Sequence, residues 1–123
     1  MSTEEHDHPA LGLDDVVHQK TRLALLTVLD EAGRADFPYL KRLLGLTDGN
    51  LGRHLDILAA QGLIEITKGY QGRRPRTWAT ITGNGEHALA AEMASLASLL
   101  TRFQTANERK RDEQQDQGAD HTA

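Results

Sequence analysis

The chain has no cysteine, three prolines and only three serines among its 123 residues. Without cysteine there are no disulfides and no thiolate metal sites. The serines, Ser2, Ser95 and Ser98, lie outside any G-x-S-x-G turn, and the glycines at 69 and 72 are not followed by a helical pattern that could cradle a phosphate. Six histidines are present, but no two show a spacing such as H-E-x-x-H. Apolar runs fall far short of the roughly 20 residues that cross a bilayer, and no basic segment followed by an apolar one opens the chain. These absences predict a cytoplasmic protein that is not an enzyme, with no metal, no cofactor and no membrane partner.

The net charge of −4 hides an uneven distribution. Residues 1–33 hold seven acids and two bases, residues 34–82 four acids and eight bases, and residues 83–123 seven acids and four bases. A basic middle between acidic ends is the charge footprint of a partner that is a polyanion. Four cations crowd into KGYQGRRPRTW, residues 68–78. The ends are too polar to offset the entropy of ordering them. Disordered tails are therefore expected at 1–10 and 105–123, around one domain over 11–104.

Within that domain the apolar spacing is first helical. Leu23, Leu25, Leu26 and Leu29 recur three and four apart up to Gly33, with a break expected near Gln19-Lys20. Asp36 is placed to cap a second helix, with Pro38 in its first turn, running to Gly45. After Leu46, Thr47 caps a third helix over about 47–61, whose Leu51, Leu55 and Leu58 face inward. The period then changes to two in LIEITKG, and TWATI at 77–81 completes a hairpin. A last helix begins at Thr82, with Leu89, Met93, Leu96, Leu100 and Phe103 at alternating steps of four and three.

A chain that is mainly α with a small β-hairpin, carrying HQKTRLALLTVL, LTDGNLGRHLDILAAQGLIEI, GRRPRTW and ITGNGEHAL in that order, resembles the winged helix-turn-helix transcriptional regulators of bacteria in the MarR/ArsR-like group. The resemblance covers about Leu13 to Leu100 and implies a sequence-specific duplex-DNA-binding regulator, a repressor acting as a homodimer. It departs from the pattern at Gly52, where serine is common. Glycine there removes a hydroxyl able to bond a phosphate and loosens the helix by about 1 kcal/mol relative to alanine.

The third helix fits a major groove, and its N-terminal residues would reach base edges. The base-reading set is Thr47, Asp48, Gly49, Asn50, Arg53 and His54. Arg53 suits a guanine edge, Asn50 an adenine, and Gly49 permits close backbone approach. The resemblance implies a wing, residues 69–76, lying along phosphates or in the minor groove. Its contacts would be Lys68, Arg73, Arg74, Arg76 and Thr77, with Trp78 assigned to packing. The row Leu89, Met93, Leu96, Leu100 and Phe103 on a long C-terminal helix would pair two copies and set two recognition helices roughly 34 Å apart. The resemblance leaves room for a small-molecule effector, which no residue cluster identifies. The competing reading is a winged-helix protein-interaction module that does not touch DNA. Against it stands the arginine-rich tip, which such a module does not need.

Overall fold

The computed structural model describes residues 8–122, with side chains described through residue 116. The chain divides into two compact units, one formed by Leu13–Glu92 and the other by the residues on either side of it.

In the first unit the elements run α1 (Asp15–His18), α2 (Lys20–Ala32), β1 (Arg34–Asp36), α3 (Phe37–Leu44), α4 (Asp48–Ala60), β2 (Ile64–Gln71), β3 (Arg74–Ile81) and the start of α5 (Gly83–Thr122). The break expected near Gln19 separates α1 from α2, and Gln19 itself caps α2 by accepting the Arg22 N–H at 2.9 Å. Asp36 Oδ1 accepts the Tyr39 N–H at 2.9 Å at the start of α3. Thr47 Oγ1 accepts the Asn50 N–H at 3.2 Å at the start of α4. The tight α3–α4 link depends on Gly45, whose φ of 62° lies in the left-handed region that a side chain disfavours. The N–H groups of Gly45 and Leu46 both turn back onto the Lys41 carbonyl.

The sheet is antiparallel in the order β1-β3-β2. Strand β1 escapes the sequence reading: three residues carry no readable alternation, and Arg34–Asp36 is extended because it hydrogen-bonds along β3. The hairpin is also longer than expected. Arg74, Pro75 and Arg76 belong to β3 rather than to a loop, because they pair with Gln71, Tyr70 and Gly69. The turn is left with Gly72 and Arg73. Gly72 has φ 64° while Arg73, like every other non-glycine among the described residues, does not have positive φ, which is the pattern of a II′ hairpin.

The core is aliphatic. Leu25, Leu26, Leu29, Leu40, Leu51 and Leu58 are fully buried and close on Ile64, Ala79 and Ile81 of the sheet. Each fully buried leucine contributes about 1.5–3 kcal/mol of transfer free energy. The third-helix stripe Leu51, Leu55 and Leu58 thus fixes the rotation of α4 and which of its residues face outward.

Two expectations fail on α5. Leu89 belongs to the core of the first unit and is not part of an exposed row. The helix also continues to Thr122, although residues 105–123 were expected to be disordered. Those residues are polar but helix-forming, and Glu108–Arg111, Arg109–Asp112 and Arg109–Glu113 have the three- and four-residue spacing that supports an exposed helix. Of the N-terminal tail expected over 1–10, residues 1–7 lie outside the described residues. Pro9–Gly12 forms a short 3-10 turn in the second unit, where Gly12 approaches Ser95.

Candidate nucleic-acid interface

Helix α4 has two chemically distinct faces. Leu51, His54, Leu55 and Leu58 are buried, while Thr47, Asp48, Gly49, Asn50 and Arg53 are exposed. The exposed group occupies the cap and first turns, where the helix dipole is positive and unpaired N–H groups point outward. Asp48 is partly neutralised by Lys41 of α3, whose Nζ lies 3.0 Å from Oδ1. Both side chains are well exposed, so this pair contributes little to stability.

His54 departs from the base-reading set. It is 6% exposed and turned toward α2, where its Nδ1 lies 3.4 Å from Arg22 Nη1. Steps of three from Leu51 and four to Leu58 put it on the core stripe. Burial, followed by the charges of Arg22 and Arg53, holds its pKa below the ordinary value of 6.5. The neutral ring can accept from Arg22. The same guanidinium donates through Nε to the Val16 carbonyl at 2.6 Å, tying α1 to α2 beside α4.

The wing arginines also divide. Arg73 occupies the turn and Arg74 begins β3; both are exposed, with no ion-pair partner among the described residues. Arg76 instead donates through Nη1 to Asp36 Oδ2. One Asp36 carboxylate therefore caps α3 with one oxygen and holds the wing strand with the other. Lys68 is exposed directly across from Thr77, which is half-buried. Trp78 packs: its ring lies 4.8 Å beneath the Arg34 guanidinium, and a Cβ at Gly69 would come within 3.2 Å of it.

Sequence reasoning missed Glu92. Its side chain is fully buried, Oε1 accepts the Asp14 N–H at 3.1 Å, and Oε2 lies 2.8 Å from His18 Nδ1. A carboxylate placed between Leu89 and Leu96 at helical spacing was the available signal.

Among the described residues no three His, Asp or Glu side chains gather to share a metal ion, and no helix is long and apolar enough to cross a membrane. In the second unit Met93, Leu100 and Phe103 are exposed, and Leu96 is half-buried.

The chain is similar to several known proteins. An uncharacterized protein of Methanocaldococcus jannaschii is 36% identical over 73 residues, which is 59% of this chain and 79% of that protein. A transcriptional regulator homologue from Pyrococcus horikoshii superposes with a TM-score of 0.68 at 28% identity, over 72% of this chain and 87% of the other. A regulator of the MarR family from Enterococcus faecalis gives a TM-score of 0.64 at 26% identity, over 89% and 96% of the two chains. Residues 21–100, which hold the helix-turn-helix, the wing and the start of α5, match the winged helix DNA-binding domain, and the chain belongs to that family.

Proposed function

We propose that the protein is a sequence-specific transcriptional regulator that binds duplex DNA as a homodimer. The carrying observation is the two-faced α4. Its buried leucines lock the helix in place, and Asn50 and Arg53 stand exposed near its N-terminal end, where a recognition helix meets base edges. Arg73 and Arg74, exposed on a short rigid hairpin, supply phosphate contacts beside the groove or in its minor-groove neighbour. Lys68 and Thr77 flank them. Arg76 acts as a positioning residue, because Asp36 already neutralises it. The regulators from Pyrococcus and Enterococcus support the regulatory role.

Met93, Leu96, Leu100 and Phe103 form the dimer contact. Three of them are large apolar side chains left in water by a single chain, and a second copy would bury them in the same register. Repression by operator occupancy needs no further surface on the protein.

Selection of bound fragments from genomic DNA, followed by footprinting, tests this reading. The expected result is an enriched inverted repeat with half-sites one helical turn apart. Recovery of fragments no different from the input pool would refute it.

A further inference from the structure

Tyr70 is the most exposed large apolar side chain among the described residues, at 74%. Neither the core nor the α5 row uses it. On β2 it shares a face with Ile64, Ile66 and Lys68, and across the hairpin it stands opposite Pro75. That face starts in the core, where Ile64 and Ala79 are each 2% exposed, and leaves it at Lys68 and Thr77. It becomes apolar again at the Tyr70–Pro75 pair, with nothing among the described residues to cover it. Arg74 and Arg76 point to the opposite face of the hairpin, with Trp78.

The platform beneath the ring is stiff. Pairing of Tyr70 with Pro75 and of Gln71 with Arg74, closed by the two-residue turn, leaves the strand little freedom, and a tyrosine has only two side-chain torsions to fix. Lys68 lies two residues before the ring and Arg73 three residues after it, at the turn. A surface that alternates cation, aromatic ring and cation matches one that alternates phosphate, apolar sugar and phosphate.

We propose that Tyr70 is a DNA-contact residue of the wing, its ring packed on the deoxyribose wall of the groove while Lys68 and Arg73 take the flanking phosphates. This rests on the DNA-binding reading and adds to it a contact that carries no charge. Loss of the ring weakens binding at every salt concentration alike, whereas loss of an arginine also changes the salt dependence.

The test uses the full chain as wild type, Tyr70→Ala, Tyr70→Phe and Arg73→Ala, titrated onto a labelled duplex by fluorescence anisotropy across a salt series. Thermal unfolding beforehand should show Tyr70→Phe melting with wild type and Tyr70→Ala at most a few degrees lower, the cost of strand propensity and of the cross-strand pair with Pro75, with both variants fully folded at the assay temperature. Tyr70→Ala is expected to weaken binding about tenfold, as for an apolar side chain only partly buried, with an unchanged salt slope. Tyr70→Phe should bind as wild type. Equal affinity of Tyr70→Ala and wild type, with Arg73→Ala weakened, overturns the inference and leaves DNA binding standing. Equal weakening by Tyr70→Phe and Tyr70→Ala also overturns it, because the hydroxyl and not the ring would then make the contact. Absence of wild-type binding to any duplex refutes the underlying DNA-binding reading instead.

Discussion

Alanine at Gly52 and alanine at Gly85 should have opposite consequences, although both glycines sit in helices at ordinary backbone angles. At Gly52 an added Cβ meets nothing within 4 Å. The substitution then gains the helix-propensity difference, about 0.8–1 kcal/mol. At Gly85, near the start of α5, the Cβ would stand 2.1 Å from the Leu63 carbonyl oxygen, 3.0 Å from its carbon and 2.8 Å from Ile81 Cγ1. Two of these atoms are backbone, and the Leu63 carbonyl already accepts the Thr82 N–H at 3.0 Å. Thr82 Oγ1 in turn donates to the Gly62 carbonyl at 2.7 Å and accepts the Gly85 N–H at 3.0 Å. Relief requires the helix start to lift from the sheet and break this set. Overpacking costs about 1–3 kcal/mol and each broken hydrogen bond about 1 kcal/mol, so Gly85→Ala should lose about 2 kcal/mol or more despite its better propensity. For a unit of this size 1 kcal/mol moves the melting temperature by roughly 4–8 °C. Thermal unfolding followed by circular dichroism should therefore show Gly52→Ala melting a few degrees higher and Gly85→Ala roughly 10 °C lower. A neutral Gly85→Ala, or a destabilised Gly52→Ala, would refute the packing argument.

Three further outcomes follow from individual side chains. His54 takes up its proton at lower pH in the folded chain than in the unfolded one. Below about pH 6.5 the unfolded chain therefore binds more protons, and stability falls with pH until the folded ring titrates as well. Urea unfolding across pH 5–7.5 should show this fall reduced in His54→Asn, whose Oδ1 can accept from Arg22; an identical pH profile counts against a buried neutral ring. Asp36→Ser keeps the α3 cap but frees Arg76, so it should be about 1 kcal/mol more stable than Asp36→Ala and should steepen the salt dependence of DNA binding; a flatter dependence contradicts the positioning role of Arg76. Glu92→Ala removes the partner of the Asp14 N–H and leaves a cavity, at a cost of about 2–4 kcal/mol. Glu92→Gln, which keeps an acceptor, should lose less in the same urea assay; equal losses would mean the hydrogen bonds contribute little.

The readable parts of this fold are those fixed within a few residues of sequence. Asp36 and Thr47 cap helices, Gly45 takes a left-handed turn, and Leu51, Leu55 and Leu58 face inward because each follows from spacing and local sterics. Distant partners decide the rest. Arg76 meets Asp36 forty positions away, and Glu92 meets His18 seventy-four positions away; neither charge on its own reveals whether it faces water or a partner. Arg74, Pro75 and Arg76 read as loop by composition and become strand because β2 pairs with them. Leu89 and Phe103 obey one heptad rule, yet one is buried in the winged unit and the other is 65% exposed. Periodicity identifies a face of a helix, and the surrounding fold determines what covers that face. The long polar end of α5 shows the same limit in reverse, since a segment with nothing to bury can still be a helix when its residues favour one.

The salt dependence of duplex binding, compared between wild type and Arg73→Ala/Arg74→Ala, tests the central claim most directly. With each arginine neutralising one phosphate in the proposed complex, removing both should make the slope of log affinity against log salt shallower by about two, with weakening that is uniform across sequences. A double variant that keeps the wild-type slope would contradict a wing seated on the DNA backbone.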